Sequence, residues 1–487
     1  MITRNKLFRG LFALLIMVAI FSSQMLIQAA DVTITNGTQF SDTSGNVVHA
    51  HGGCLVKSGS NYYWFGEYRD GSKFNAVKCY RSTDLKNWTF VRDALSKTSA
   101  AELNSCNVER PKVMYCPNTG QYVMWMHWEN GVDYSEARCA VAYSSSVEGP
   151  YTYLGSFRPL ANTGVTDHGK PGYMSRDCTV FVDGNTGYFM SAANENMDLH
   201  LYQLSSDFRS ITSLAAKLFA GQQREAPCLF KRGSYYFLLT SGCTGWTPNQ
   251  AKYAYSTSLT SGWSSLINIG DSTTYSSQPA FVIPVSGSTT TTYLYTGDRW
   301  AGAWGGVVND SQYVWLPLNF SSNTSMSMNW YNSITINTET GVISGSNAGV
   351  TYYKIKSRAC GKMLDNKGST SDGANIVLWS DTNSYNQQWQ RIDMGGGYYR
   401  FMNRATGKYI DGMGRTGDGS ALAQYSSSSS YNQQWQIIDV GGGYVKLANR
   451  ATGKRIDSAG YSSDGSVVKQ YNDSSSYNQQ WQLIATQ

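Results

Sequence analysis

The chain has 487 residues, a length for two or three domains, and its 39 basic and 33 acidic side chains leave a formal net charge of +6. The positive charges are scattered instead of running together, which excludes the charge signature of a nucleic-acid or membrane-surface binder. With 48 Gly and 34 Tyr, the composition favours short strands and tight turns over helices.

Arg4, Lys6 and Arg9 precede an apolar run from Leu11 to Phe21, and Ala29 and Ala30 stand just before Asp31. This pattern predicts a secretory signal peptide over residues 1–30, with the folded remainder extracellular and not attached to a membrane once the peptide is removed. A retained anchor is the competing reading, because apolar character continues from Met25 to Ile27. Eight of the nine cysteines (Cys54, Cys79, Cys106, Cys116, Cys139, Cys178, Cys228 and Cys243) lie before residue 350, and export makes disulfides permissible without revealing their pairing. Cys360 is the odd one. With no C-x-x-C pair and no His-x-x-x-His spacing, neither a metal nor a cofactor is expected.

From about residue 48 to 345 one pattern recurs five times: an apolar strand, a Gly or Asn turn, then an aromatic-rich strand. The five copies begin at GGCLVKSG, PKVMYCPN, CTVFVDGN, APCLFKRG and PAFVIPVS, and each reads as a hairpin. Groups of strands repeating every fifty to sixty residues predict an all-β, five-bladed β-propeller over residues 31–345. The start of each innermost strand then points at the central channel, which collects His49 with His51, Glu109, Asp177, Glu225 and Gln278. Like charges gathered in one cleft raise one another's pKa, and paired carboxylates of differing pKa are the tools of glycoside hydrolysis. The competing reading for Glu109, Asp177 and Glu225 is a structural ion pair with the adjacent Arg110, Arg176 and Arg224.

The segments VERPKV, SRDCTVF, REAPCLF, SSQPAFV and WLPLNF resemble glycoside hydrolase family 43, and within it the exo-β-1,3-galactanase branch. The resemblance implies an inverting hydrolase with Glu225 as general acid and Asp177 as the group that tunes and orients it. Most of the family supplies an Asp base from the first blade, but here that stretch reads VVHAHGG. The galactanase branch shares the gap and uses a fifth-blade Gln to position water, which matches Gln278. Glu109 is left to hold substrate hydroxyls or to serve as base. Glu67, Tyr134, Asn196 and Thr244 fall where family members touch the terminal sugar, and Trp128, Trp246, Trp300 and Trp304 are candidate stacking platforms.

The remainder, residues 346–487, is a threefold repeat. YNQQWQ recurs at Tyr385, Tyr431 and Tyr477, 46 residues apart. In the same register stand Asp365, Asp411 and Asp457, then Trp379, Tyr425 and Tyr471, then Asn386 with Gln387, Asn432 with Gln433, and Asn478 with Gln479. A carboxylate, an aromatic face and an amide suit a sugar's vicinal hydroxyls and its C–H side. The Q-x-W triplets resemble the ricin-type β-trefoil, carbohydrate-binding module family 13. The expected protein is a secreted exo-β-1,3-galactanase acting on β-1,3-galactan or arabinogalactan and tethered by its trefoil. An α-L-arabinofuranosidase or β-xylosidase on the same fold, or a non-catalytic carbohydrate-binding protein, is the alternative.

Overall fold

A computed structural model describes residues 31–347, 351–394, 396–428 and 430–486. The segment read as a signal peptide lies outside the described residues. Among those described, regular structure is strand apart from 3-10 turns of three or four residues, and no helix is long and apolar enough to cross a membrane.

Between residues 51 and 328 the chain forms five four-stranded antiparallel sheets, each taken up in sequence order so that neighbouring strands are joined by hairpins. Their first strands are His51–Ser58, Asn107–Cys116, Cys178–Asp183, Arg224–Arg232 and Gln278–Ser286. These five pack in a closed circuit, each against the next and the fifth against the first. One apolar cluster fills each seam. Phe65 meets Met124 and Met126 between the first and second sheets, and Trp125 meets Phe189 and Tyr202 between the second and third. Leu199 and Leu201 meet Leu229 and Leu238 at the next seam, and Phe237 meets Leu316 at the fourth. The aromatic side chains Trp64, Trp88 and Trp315 fill the closing seam.

That last seam carries the join between the two ends of the ring. A separate sheet of Val32–Thr35, Ser333–Asn337 and Val342–Ser346 covers it, and Ile34, Ile334 and Ile336 pack into the same cluster as the three tryptophans. No disulfide contributes, although the compartment expected for the chain would permit them. All nine cysteines are free, and seven are buried. They serve as small apolar side chains dispersed over several seams, Cys54, Cys79 and Cys106 in the first and Cys116, Cys139 and Cys178 in the second.

The repeat region is built from three copies of one apolar layer. Ile355, Phe401 and Leu447 form one set of equivalent positions, Leu364, Ile410 and Ile456 a second, and Ile376, Leu422 and Val468 a third. The repeated tryptophans Trp389, Trp435 and Trp481 are fully buried at the centre. Each donates its indole N–H to the carbonyl of Leu364, Ile410 or Ile456, at 3.1, 3.1 and 2.9 Å. The final strand, Trp481–Thr486, pairs with Tyr352–Ser357 and so returns the end of the repeat to its beginning. No single copy can bury its own face, so all three must form together. Trp435→Ala should therefore destabilise the threefold unit by about 3–5 kcal/mol. Denaturant unfolding followed by fluorescence checks this, and a loss under about 1 kcal/mol would contradict the central role of this layer.

Candidate active site

The inner strands do not run straight into the channel. Register shifts interrupt the pairing between His51 and Cys54, Glu109 and Lys112, Glu225 and Cys228, and Pro279 and Phe281. Such bulges bend a strand and re-aim its side chains. In the second and fourth sheets the residue after the carboxylate takes a left-handed backbone, Arg110 at φ 55° and Ala226 at φ 51°, and a proline follows. Proline is tolerated there because a bulge does not require its missing N–H. Local strain thus sits beside the two glutamates whose direction it sets.

Arg110 crosses the channel and joins three sheets. Only 4% exposed, it donates to the Pro279 carbonyl at 2.8 Å and to Gln278 Oε1, and pairs with Asp177 Oδ2 at 3.1 Å. Asp177 Oδ2 also accepts from the Ala226 amide at 3.1 Å, immediately after Glu225. Gln278 Nε2 donates to Glu225 Oε1 and to Ser241 Oγ, both at 2.9 Å, while its oxygen also accepts from the Trp300 indole at 2.7 Å. Asn196 reaches Glu225 Oε2 at 3.4 Å. Burial, and then the negative charge of Asp177, push the Glu225 carboxyl up to about 7, against the opposing pull of Arg110. The site therefore holds an acid that is still protonated near neutral pH.

Glu109 is the opposite case. Its carboxylate accepts from Arg69 at 2.8 Å and from the Tyr134 hydroxyl at 2.6 Å, and lies 3.3 Å from His127 Nδ1. Burial alone raises such a carboxyl, but the close His127 imidazole and the Arg69 charge outweigh it and hold Glu109 well below the usual range. His127 is pushed up to about 9: burial opposes its charge, but Glu109 on one side and Glu129, 2.9 Å from Nε2, overcome that. Glu109, His127 and Asp177 bring potential ligand atoms within 4.8 Å of one another. Arg69, Arg110 and a protonated His127 already supply the positive charge there, so the group does not fit a bound cation.

None of the three carboxylates pairs with its neighbour in sequence. Arg224 turns to the Thr240 hydroxyl and carbonyl, both at 2.9 Å, and Arg176 to Glu195 at 2.6 Å. The ion pairs that do form join different sheets, Arg69 with Glu109 and Arg110 with Asp177, while Glu225 meets Gln278, so the competing reading of i,i+1 pairs does not hold.

In the first sheet the residue in the place of Glu109 and Glu225 is His51. It is fully buried, stacked 4.5 Å from Tyr313, and held by Asp298 Oδ1 at 2.9 Å; the other Asp298 oxygen accepts from the Gly52 amide at 2.9 Å. Its imidazole is a structural clasp between the first and fifth sheets. His49 lies outside this ring, 4.9 Å from the Tyr68 ring.

The rim residues separate into groups. Tyr134 and Asn196 touch the carboxylates directly. Glu67 does not line the opening: it is 1% exposed, directly opposite His51 in register, and its carboxylate is held by Arg69 at 2.6 Å. Thr244 is exposed in the loop after Tyr235–Gly242, its hydroxyl engaged with Thr247 and Asn249. A small cavity beside Gln278 and Ser241 is walled by Trp246 and Trp300, with Trp246 about half exposed. Trp128 is not a platform, being 8% exposed under Arg138. Arg110, His127, Ser241 and Asp298 escaped sequence reasoning. The signal for three of them was present, since His127, Ser241 and Asp298 stand opposite Glu109, Glu225 and Gln278 on the adjacent strands.

Residues 51–275 match the glycosyl hydrolases family 43, and residues 341–425 and 431–487 match the ricin-type β-trefoil lectin domain-like family. A solved exo-β-1,3-galactanase from Clostridium thermocellum is 57% identical over 93% of this chain and 100% of its own, with a TM-score of 0.64. The chain belongs to glycoside hydrolase family 43. An exo-β-1,3-galactanase from Phanerochaete chrysosporium, solved with β-1,3-galactotriose, is 27% identical over 93% of this chain and 92% of its own, with a TM-score of 0.61. A Bifidobacterium bifidum protein described as a putative exo-β-1,3-galactanase is 30% identical over 61% of this chain and 96% of its own, with a TM-score of 0.53. No curated protein matches the chain significantly. The protein is thus a glycoside hydrolase carrying a ricin-type lectin domain, and its substrate is a carbohydrate.

Within the lectin domain of this family 43 enzyme, each repeat brings its aspartate and asparagine together. The Asn366, Gly412 and Ser458 amides, each directly after the aspartate, donate to the carbonyls of Asn386, Asn432 and Asn478 at 3.3, 2.9 and 2.9 Å. Trp379, Tyr425 and Tyr471 end the short strands paired with Asp365, Asp411 and Asp457. The glutamines expected to bind sugar, Gln387, Gln433 and Gln479, are buried. Gln433 and Gln479 donate to Asp411 and Asp457 at 3.0 and 2.9 Å and hold those aspartates in place, and Gln387 donates to the Ser380 carbonyl at 2.8 Å.

The electrostatics around Glu225 predict two shifts of opposite sign. Asp177→Asn removes the charge that raises Glu225 and should lower its pKa toward the ordinary carboxylate range, whereas Arg110→Met removes the opposing cation and should raise it. Carbon-13 NMR titration of labelled glutamate carboxyls measures both, and shifts in the same direction would contradict the arrangement.

Proposed function

We propose that this enzyme is a secreted, inverting exo-β-1,3-galactanase, with the five sheets over 31–345 as the blades of a propeller and the trefoil over 346–487 as its polymer anchor. It releases galactose, or a short branched unit, from the non-reducing end of a β-1,3-galactan such as an arabinogalactan backbone. The observation that carries the reading is Glu225, raised to about 7 and in contact with Gln278, in a chain more than half identical to a galactanase.

Glu225 protonates the leaving glycosidic oxygen, and Asp177 keeps it protonated by negative charge and oriented through the Ala226 amide. Inversion needs water on the opposite face of the sugar, with acid and water-activating group about 6.5–9.5 Å apart. Gln278 and Glu225 are in direct hydrogen bond, so the entering ring must part them. Gln278 Oε1 stays tied to Arg110 and Trp300, so the N–H released from Glu225 orients the water, and the proton that this water sheds on attack is lost to bulk solvent. Glu109, fully ionised and flanked by Tyr134, receives substrate hydroxyls. An arabinofuranosidase or xylosidase of this family relies on a first-sheet Asp, and His51 locked on Asp298 takes that place. The raised acid likewise speaks against a purely sugar-binding role. Tethering by the trefoil raises the effective substrate concentration at the cleft.

Linear β-1,3-galactooligosaccharides followed by proton NMR test the assignment. The parent should release galactose of inverted configuration, and Glu225→Gln should lose about 10²- to 10⁴-fold in kcat. An unchanged rate in that variant, or retained configuration, overturns the roles assigned to Glu225 and Gln278. The activity should fall as pH rises through about 7, where Glu225 loses its proton, and Asp177→Asn should move that fall to lower pH. A profile flat across this range would remove Glu225 as the acid.

A further inference from the structure

The three lectin repeats are joined by a cycle of contacts that runs from each repeat into the next. Asp372, in the first, pairs with Lys408 at 2.8 Å in the second. Asp418, in the second, pairs with Lys454 at 2.7 Å in the third, and Asp464, in the third, returns to Lys362 at 2.7 Å in the first. The same aspartate oxygens accept a backbone amide, each at 2.7 Å: Asp372 from Ser426, Asp418 from Asn472 and Asp464 from Ser380. Those amides belong to the residues directly after Tyr425, Tyr471 and Trp379. A partly exposed ion pair adds little stability by itself, so the placement of the amide bond is the informative part.

Each aromatic ends a strand of only three residues, Val377–Trp379, Ala423–Tyr425 or Lys469–Tyr471. The ladder stops there, and the next N–H is held by the neighbouring repeat. In two of the three repeats the glycine after the latch aspartate also approaches the ring, whereas a Cβ on Gly373 would meet nothing within 4 Å. A Cβ on Gly465 would lie 3.6 Å from the Trp379 ring, and one on Gly419 would lie 3.2 Å from the Tyr471 hydroxyl.

We propose that each sugar site of the lectin domain is a two-repeat site: the aspartate, asparagine and aromatic come from one repeat, while the aspartate of the preceding one positions the aromatic through the amide that follows it, and at Trp379 and Tyr471 the adjoining glycine also walls the ring's edge. Asp464 with Gly465 completes the Trp379 site, Asp372 the Tyr425 site, and Asp418 with Gly419 the Tyr471 site. The ligand class is a neutral sugar with vicinal hydroxyls and an apolar face. Asp372, Asp418 and Asp464 are positioning residues, and the inference rests on the trefoil's sugar-binding reading.

The test uses the full chain carrying Glu225→Gln to prevent turnover, with β-1,3-galactobiose titrated calorimetrically. Changing two of Trp379, Tyr425 and Tyr471 to Ala leaves one working site, and changing all three sets the baseline of the catalytic cleft. In the protein retaining Trp379, Asp464→Ala should weaken lectin binding about five- to tenfold, whereas Asp372→Ala and Asp418→Ala should leave it unchanged. The pattern should rotate in the other two single-site proteins, to Asp372 for Tyr425 and Asp418 for Tyr471. Equal effects of all three aspartates, as a general loss of folding gives, or an effect of the aspartate within the same repeat, would overturn the proposal. If the chain with all three aromatics intact binds no better than the baseline, the sugar-binding reading itself falls and this inference falls with it.

Discussion

The catalytic half of the molecule depends on one buried guanidinium. Arg110 leaves the second sheet, binds Asp177 of the third, and fastens the side chain and backbone of the fifth at Gln278 and Pro279. A buried charge is costly unless it is paired and hydrogen-bonded, and removing one partner leaves the other stranded. The same cation partly offsets Asp177 as seen from Glu225. It therefore sets two quantities together: the spacing of the ring and the proton affinity of its acid. Lys112, two residues on, ties the axis to the first sheet through the carbonyls of Gly52 and Gly53.

Around that cation the ring sorts its ionisable groups by role. Glu225 has one amide donor, one distant asparagine and a like-charged neighbour, so its proton is retained. Glu109 has an arginine, a phenol and a charged imidazole, so its proton is lost. Two glutamates on the same kind of bulged strand thereby reach opposite states, and the difference comes from burial and from the charged groups that other strands and other sheets bring against them. His51 occupies the equivalent place in the first sheet, but stacking on Tyr313 and the Asp298 clasp withdraw it from chemistry. The fifth sheet instead brings the Gln278 amide against Glu225.

The two halves close their circles by different means. The propeller closes through apolar seams, with the terminal strand Val32–Thr35 and residues 333–346 covering the last of them. The trefoil closes through three central tryptophans and a cycle of Asp–Lys pairs. In the propeller each sheet contributes a different residue to one shared site. In the trefoil each repeat contributes the same residues to its own site and a latch to its neighbour's.

The sequence by itself determined the all-β class, the five strand groups, the 46-residue threefold unit and the residues at the channel mouth. These are local signals: turn chemistry, aromatic strands, Q-x-W triplets, and an acid or amide followed within two residues by proline. It also carried the family, through segments that lie on the inner strands. Only the tertiary structure decided which groups those residues face. Adjacent arginines were the competing partners of Glu109, Asp177 and Glu225, yet Glu109 pairs with Arg69 of the first sheet, Asp177 with Arg110 of the second, and Glu225 meets Gln278 of the fifth. Glu67 and the three trefoil glutamines looked like ligand contacts, yet all four are buried, Glu67 against Arg69, Gln433 and Gln479 against their aspartates, and Gln387 against the Ser380 carbonyl. Burial and charge proximity between residues tens of positions apart in the chain set the state of each carboxylate, and the linear order of the chain contains no such distance.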